Sequence, residues 1–157
     1  MIEVRPYTGG PMAEAALTGL FADLYAHLGT MGLAIPLAPD GAATWVRTIG
    51  PMLGKLTFVH GAWLGEDLRG FVAGAIRTMP SHLGGTRIGA LTHIHIDPSL
   101  RGQGVGRRLH DALLATFLEK GVQTMDTDVL VGNTASRGFF AGMGFHEDHV
   151  ILRKTIA

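Results

Sequence analysis

One short segment, from Arg101 to Arg107, constrains the fold of this chain more than any other part. It reads Arg-Gly-Gln-Gly-Val-Gly-Arg and follows an apolar stretch that ends at Asp97-Pro98. A long helical pattern begins within it, and the start of a helix presents unpaired N–H groups and the positive end of the helix dipole. Its glycines have no Cβ, so an anion can approach the backbone closely. The segment therefore predicts a strand, a tight turn and a helix whose first residues bind a pyrophosphate.

Two common phosphate-binding motifs do not describe this segment. The phosphate loop of nucleotide hydrolases ends in Gly-Lys-Ser/Thr, which is missing here, and the dinucleotide fingerprint would need a glycine where Arg107 stands. The alternatives are a turn with merely flexible glycines and a generic α/β nucleotide-binding domain. Arg101, Arg107 and Arg108 place positive charge around the turn, and Pro98 ends the strand in front of it. These residues favour an anion site over a flexible turn.

The composition predicts one globular domain over residues 1–157. Apolar residues make up 46% of the chain and charged residues 17%, which excludes a disordered protein. The 13 basic and 13 acidic residues balance, so nothing favours nucleic acid or an anionic membrane as a partner. The lack of cysteine removes disulfides, thiolate metal sites and a cysteine nucleophile. No apolar run is long enough for a membrane span and no signal peptide is recognisable, so we expect a cytoplasmic protein.

The spacing of apolar residues predicts alternating strands and helices. Strands are expected at 2–7, 56–64, 68–79, 88–97, 125–131 and 150–156, and helices at 12–28, 41–52, 105–120 and 134–143. Two antiparallel strands joined by a hairpin and followed by strand, helix, strand and helix indicate a mixed sheet that is covered by helices.

Two histidines lie on the strand before the glycine turn, in the stretch Leu91–Asp97. Successive side chains on a strand point to opposite faces, so His93 and His95 share one face and Ile94 and Ile96 the other. If the isoleucines pack under the long helix, the histidines face the opposite side, where an imidazole can accept the proton of an amine. The alternatives are satisfied polar groups on a partly buried face and, less favoured, a metal site, for which the sequence places no third ligand.

At these residues the chain resembles the GNAT superfamily, the general-control-related N-acetyltransferases. The cofactor signature of that family is Arg/Gln-x-x-Gly-x-Gly/Ala, and Arg101–Gly106 matches it in full. A second family pattern places an Asn after the next strand, an aromatic residue on the following helix and then Gly-Phe. The matching residues here are Asn133, Phe139-Phe140 and Gly144-Phe145. The resemblance covers about residues 68–157.

The resemblance implies a fold and a co-substrate. The implied fold is α/β (α+β), with a mixed, mostly antiparallel central sheet of six to seven strands flanked by about four helices. The implied co-substrate is acetyl-CoA, with its pyrophosphate on the backbone amides from Gly102 to Arg107 and its pantetheine arm along the backbone of Ile94–Ile96; no metal is expected. The implied cofactor-binding residues are Ile94, His95, Ile96, Arg101, Gly102, Gln103, Gly104, Val105, Gly106, Arg107, Asn133 and Phe140.

The implied activity is transfer of the acetyl group to a primary amine of a small molecule, an amino acid or a peptide. Several family members carry an acidic or polar residue at the position of His93 that handles the amine proton, and we expect His93 and His95 to be catalytic. Many members also carry a tyrosine facing the CoA sulfur at the position of Phe140, which has no proton to donate. This departure leaves a CoA-binding sensor or pseudoenzyme as the alternative. A homodimer, common in the family, is a further expectation, supported by the apolar C-terminal strand.

Overall fold

The computed structural model describes all residues 1–157 as one five-stranded sheet with helices on both faces. The strands are Ile2–Pro6 (β1), Thr57–Leu64 (β2), Asp67–Thr78 (β3), Arg87–Ile96 (β4) and Met125–Thr127 (β5). The helices are Pro11–Gly29 (α1), Gly41–Ile49 (α2), Val105–Glu119 (α3) and Thr134–Gly142 (α4), which confirms the four predicted helices. The sheet order follows the chain, β1-β2-β3-β4-β5, with every pair antiparallel except β4 and β5, which are parallel. None of the helices combines the length and apolarity that a bilayer span requires.

Each face of the sheet carries its own apolar core. On one face α1 and α2 pack against the strands through Phe21, Val46 and Phe71, together with ten further buried residues. On the other face α3 packs against the strands through Leu109 and Phe117, which are almost completely buried, and α4 joins this core. Helices segregate to the two faces because each presents one apolar stripe that only a sheet face can cover.

A β-bulge in β4 determines which side chains reach each core. Ala73 of β3 lies opposite His93 and Gly74 lies opposite Leu91, so Thr92 is the extra residue of the bulge. Beyond it, Ile94 and Ile96 pack into the core beneath α3. His93 lies on the opposite face, against aromatic rings of α1 and α2. The predicted division of this strand into a histidine face and an isoleucine face is therefore confirmed.

The sheet is smaller than predicted. It has five strands where six to seven were expected, the predicted strand at 150–156 is wrong, and the strand predicted at 125–131 ends at Thr127. An alternating apolar pattern becomes a strand only when its N–H and C=O groups find a partner edge. No strand of the chain pairs with residues 150–156, and Val150 and Leu152 are 74% and 90% exposed.

Candidate active site

The glycine turn forms an open concave backbone at the start of α3. Gly104 is the residue before the helix and has a φ of 76°, and Gly102 has a φ of 75°. Both values lie in the left-handed region that favours glycine. No side chain caps this helix start, and a Cβ built on either glycine meets no atom within 4 Å. The first-turn amides of α3 are thus available to an anion.

The third glycine of the motif has a different role from the one predicted. A Cβ on Gly106 would lie 3.1 Å from Cδ1 of Ile96 and 3.3 Å from Cε2 of Phe139. That space is already filled by protein, so packing excludes a side chain at position 106, while the amide of Gly106 belongs to the first turn of α3. Gly106 allows α3 to approach β4 and α4 closely, which fixes the direction in which the helix start points.

The positive charge around the turn is also more limited than the sequence suggested. Arg108 donates from Nη1 to the carbonyl of Ile2 at 2.9 Å, so its guanidinium is engaged with β1. Arg101 donates from Nε to the carbonyl of Ile96 at 3.3 Å, which holds it beside the end of β4. Arg107 is exposed at the first turn of α3. The charge that an anion would meet therefore comes from Arg101 and Arg107.

The entry to the turn is fixed by a hydrogen-bonded carboxylate. Asp97 accepts from the amide of Ser99 at 2.8 Å and from its hydroxyl at 2.7 Å. Nε of Arg69 on β3 donates to the other carboxylate oxygen at 3.0 Å. These contacts, those from Ser99 first, lower the pKa of Asp97 to about 2. The bend between β4 and the glycine turn is consequently held in one shape at neutral pH.

An open strand edge runs from this bend into the sheet. β5 pairs with β4 only from Gly89 to Leu91, and the two strands part after Thr127. From Thr92 to Ile96 the side of β4 that faces away from β3 therefore has no partner strand. Unpaired backbone groups on a strand edge can hydrogen-bond an extended ligand as if it were another strand.

α4 begins at Thr134, after β5 has separated from β4. Asn133 is 93% buried, and its Oδ1 caps the helix by accepting from the amide of Ser136 at 3.2 Å. Phe140 is buried, with its ring 5.2 Å from that of Phe145 and 5.1 Å from that of Phe139. Phe140 is thus a core side chain without a hydroxyl, at the motif position where a tyrosine could have donated a proton.

His93 lies in an aromatic enclosure on the α1 face. Its ring centroid is 4.8 Å from that of Phe21 and 5.2 Å from that of Trp45. Nδ1 lies 2.9 Å from Oγ1 of Thr92, and Nε2 lies 3.5 Å from the hydroxyl of Tyr25. Desolvation in this enclosure lowers the pKa of His93 to about 4, so the imidazole is neutral at pH 7.

His95 is buried two residues further along the same strand face. Burial lowers the pKa of His95 most strongly, and the positive charge of Arg101 adds to the effect, while the carboxylates of Asp23 and Asp97 oppose it. The position of His95 near Arg101 places it between the glycine turn and His93. The two histidines, the open edge of β4 and the glycine turn thus follow one another along β4 and into the start of α3.

A small cavity of about 170 Å³ lies where β4 and β5 part, and Thr92 belongs to its lining. Arg77 and Asp126 form an ion pair across it. The charge of Asp126 is thereby neutralised, and the exposed Asp128 leaves the cavity with a net negative charge. Its lining consists of Arg77, Ala90, Leu91, Thr92, Asp126, Thr127 and Asp128.

The loop between α1 and α2 contacts the segment between β5 and α4. A Cβ on Gly132 would lie 3.0 Å from the carbonyl oxygen of Met31, so only glycine allows this approach. The loop and the β5–α4 segment are therefore in contact beside the open edge of β4. No group of three or more His, Cys, Asp or Glu side chains is arranged to hold a metal ion.

Three polar residues of this region were not among the site residues predicted from the sequence. Tyr25 belongs to α1, Arg77 to β3 and Thr92 to the bulge. Tyr25 is 68 residues away from His93 in the chain, and no sequence motif joins the two. The period of two on β4 places Thr92 on the face opposite His93, and the bulge that brings its hydroxyl to His93 is not visible in the sequence.

The chain matches one protein family. A family model described as the acetyltransferase (GNAT) family matches residues 43–145, which is more than half of the chain. The match includes α3, the glycine turn, the strand with the two histidines and α4. No curated protein matches the chain.

Several solved structures share the fold. The aminoglycoside N-acetyltransferase AAC(6')-Iy, in complex with the bisubstrate analogue CoA-S-monomethyl-acetylneamine, has a TM-score of 0.78 at 21% identity, over 100% of this chain and 99% of that one. The aminoglycoside acetyltransferase meta-AAC0020 from an uncultured soil metagenomic sample, in complex with sisomicin, has a TM-score of 0.72 at 15% identity, over 99% and 97%. A predicted acetyltransferase from Clostridium acetobutylicum with acetyl-CoA has a TM-score of 0.74 at 18% identity, over 99% and 96%. At these identities the likeness establishes a common fold.

Proposed function

The chain belongs to the acetyltransferase (GNAT) family, and on that premise we propose that it transfers the acetyl group of acetyl-CoA to a primary amine of a small molecule, an amino acid or a peptide. One observation carries the proposal. An uncapped helix start with two left-handed glycines follows an open strand edge, and that strand carries the buried His95 and the partly buried His93. An anionic head, an extended arm and a reacting thioester would be bound in that order.

The cofactor would lie along the backbone rather than among side chains. Its pyrophosphate would accept hydrogen bonds from the amides between Gly102 and Arg107, and Arg101 would add charge. Its pantetheine arm would extend the sheet along Ile94–Ile96, with Asn133 and Phe140 on the far side. The absence of any Cβ obstruction at Gly102 and Gly104 supports this fit.

The reaction would be a direct transfer in a ternary complex. The neutral amine attacks the thioester carbonyl carbon, the C–N bond forms, and the C–S bond breaks as the thiolate leaves. The amide of Ile96 would hold the carbonyl oxygen as it gains negative charge. One amine proton must be removed, and His93 and His95 are the neutral bases on the face where the acceptor would bind.

The cavity lined by Asp126 and Asp128 favours an acceptor with a second cationic group. Arg77 neutralises Asp126, so Asp128 provides the net charge that would attract the cation. Two proteins of the same fold have aminoglycoside acetyltransferase in their names. An oligocationic amine is accordingly the first acceptor to test.

A CoA-binding sensor with little catalysis is the second candidate. Phe140 favours it, because this buried side chain cannot give a proton to the departing sulfur. The two functions share the cofactor site and differ in turnover, so one assay separates them.

We also propose that the protein is a cytoplasmic homodimer, and the exposed C-terminal segment supports the dimer. Val150, Ile151, Leu152 and Ile156 are 61% to 90% exposed, and no strand of their own chain pairs with them. Pairing with a second copy would cover these side chains and satisfy their backbone groups. Sedimentation equilibrium should give a dimer that Leu152→Lys converts to monomer, while Leu118→Lys, on the exposed side of α3, leaves the dimer intact. A monomeric wild-type protein would remove this proposal.

The function is tested by acetyl-CoA-dependent release of CoA thiol over a panel containing sisomicin, spermidine, lysine and a lysine-containing peptide. We expect turnover with at least one amine, and a loss of about 10²-fold in kcat for His93→Ala without change in the Kd of acetyl-CoA. Binding of acetyl-CoA without turnover of any amine would favour the sensor. The absence of both would contradict the two candidates.

A further inference from the structure

The side chains of Tyr25, His93 and Thr92 form one chain of polar contacts that ends at a backbone carbonyl. The hydroxyl of Thr92 donates to the carbonyl oxygen of Ala73 at 3.1 Å. A carbonyl can only accept, so the single hydroxyl proton of Thr92 is committed to it. Oγ1 of Thr92 can then only accept from Nδ1 of His93, which lies 2.9 Å away. His93 is therefore the tautomer that carries its proton on Nδ1.

The tautomer determines the direction of the last contact. A neutral imidazole with its proton on Nδ1 has a lone pair on Nε2. The hydroxyl of Tyr25 lies 3.5 Å from Nε2 and must be the donor. The distance exceeds that of an ordinary hydrogen bond, and catalytic contacts are often long until a ligand completes the site. The bonds all run one way, from Tyr25 through His93 and Thr92 to a backbone carbonyl.

The same contacts keep His93 from meeting an acceptor directly. Both ring nitrogens have partners, and the rings of Phe21, Tyr25 and Trp45 lie 4.8, 6.1 and 5.2 Å from that of His93. Tyr25 and His93 are both partly buried, and the Tyr25 hydroxyl is the group within reach of the lone pair on Nε2.

We propose that Tyr25 is the catalytic residue that touches the acceptor amine, and that it relays the amine proton to His93. The proposal rests on the proposed acetyl transfer and assigns the proton exchange to a residue outside the family motifs. It also gives this chain an ionisable hydroxyl, supplied by α1, because Phe140 at the motif position on α4 has none.

The relay moves one proton from the amine to the departing thiolate. As the C–N bond forms, one amine proton moves to the oxygen of Tyr25 while the phenolic proton moves to Nε2 of His93. The C–S bond breaks with its electron pair on sulfur. The proton then returns from Nε2 through Tyr25 to the thiolate, which leaves as a thiol. No other reactant is consumed, and the neutral relay is restored.

The aromatic enclosure suits both directions of this transfer. Burial keeps the imidazole neutral, so Nε2 is free to accept. Once protonated, a ring in that environment is a strong acid and readily gives its proton back. Thr92 keeps Nδ1–H hydrogen-bonded throughout, so the ring does not rotate between the two steps.

The two tyrosines of the chain provide a matched experiment. The Tyr7 hydroxyl is buried without a hydrogen-bond partner, away from the histidine, so Tyr7→Phe removes an equivalent atom with no role in the relay. With sisomicin, or with the panel amine that reacts fastest, Tyr25→Phe should lower kcat about 10²-fold and leave the Kd of acetyl-CoA unchanged. Tyr7→Phe should retain wild-type kcat. Wild-type kcat in Tyr25→Phe would overturn the assignment and leave the proposed function intact.

A second measurement is independent of turnover. Nitrogen NMR of histidine-labelled protein should show His93 with its proton on Nδ1, Tyr25→Phe should shift only the Nε2 signal, and Thr92→Val should redistribute the proton to Nε2. A wild-type His93 with its proton on Nε2 would overturn the relay even if the enzyme is active. If the predicted tautomer is found but no panel amine reacts, the proposed function fails and takes the catalytic role of Tyr25 with it, while the hydrogen-bond chain stands.

Discussion

The two halves of the proposed site, one for the cofactor and one for the acceptor, are built from different parts of the chain. The cofactor half consists of backbone: the open edge of β4, the turn with Gly102 and Gly104, and the first amides of α3. The acceptor half consists of side chains from α1, α2, β4 and the segment around β5, such as Tyr25, Trp45 and Asp128.

This difference explains how the halves are encoded. Backbone recognition needs consecutive residues without side-chain obstruction, so it leaves a contiguous glycine pattern in the sequence. Side-chain recognition needs residues that meet only after folding, so it leaves no local pattern. It also brings titratable groups into an apolar enclosure, and the acceptor half should therefore respond to pH and to single polar substitutions.

The largest expected effect is a loss of folding stability at acid pH, which would come from the acceptor half. His93 is neutral in the folded protein down to about pH 4, whereas an exposed histidine in the unfolded chain takes up a proton below about 6.5. Between these values the unfolded state binds more protons, so stability is full above pH 6.5 and falls as the pH decreases towards 4. His93 alone should cost roughly 3 kcal/mol over that window.

Urea unfolding at a series of pH values measures this loss. His93→Gln should flatten the pH dependence, leaving only the smaller losses from the buried His60 and His95, whose pKa values burial also lowers. His149→Gln, at an exposed position, should behave as wild type. If His93→Gln lost as much stability at acid pH as the wild type, the imidazole would be open to water, and the acceptor half would not be the pH-sensitive half.

The close packing of α3 against β4, the two elements on either side of the glycine turn, gives the next largest effect. A Cβ on Gly89 would lie 2.5 Å from Cδ2 of Phe117, which is 1% exposed and cannot move aside. Gly89→Ala should therefore lower the free energy of unfolding by about 1–3 kcal/mol, measured by urea unfolding. Gly138→Ala in α4 meets no atom within 4 Å and should instead raise it by about 0.5–1 kcal/mol. Equal stabilities in the two variants would refute the tight approach of α3 to the sheet.

The smallest effect concerns the charge of the acceptor cavity. Asp128→Asn should raise the KM of a dicationic or longer amine about tenfold, through loss of a partly screened charge interaction of about 1.4 kcal/mol. It should leave the KM of acetyl-CoA unchanged. The isosteric control is Asp148→Asn, which lies in the exposed C-terminal region. Steady-state kinetics at low and high salt would reveal the effect, and equal KM values would place the cation elsewhere.

What the sequence could predict follows the same division. The glycine turn, α3 and the histidine face of β4 were predicted because each depends on neighbouring residues. The bulge at Thr92 and the Tyr25–His93 contact depend on the register of β3 against β4 and on the packing of α1, which no local pattern encodes. The predicted strand at 150–156 failed for the opposite reason, since its local pattern is favourable but the segment pairs with no edge of the sheet.

The central claim is that the backbone around Gly104 binds the cofactor, and calorimetric titration of acetyl-CoA tests it most directly. Gly104→Glu should weaken binding by about 100-fold, because the carboxylate would lie among the amides and repel the phosphates. Gly121→Glu is the matched control, since Gly121 has the same φ of 76° and equally open surroundings at the other end of α3. We predict that Gly121→Glu binds acetyl-CoA with wild-type affinity and that Gly104→Glu loses binding. Wild-type affinity in Gly104→Glu, or no binding of acetyl-CoA by the wild-type protein, would contradict the account.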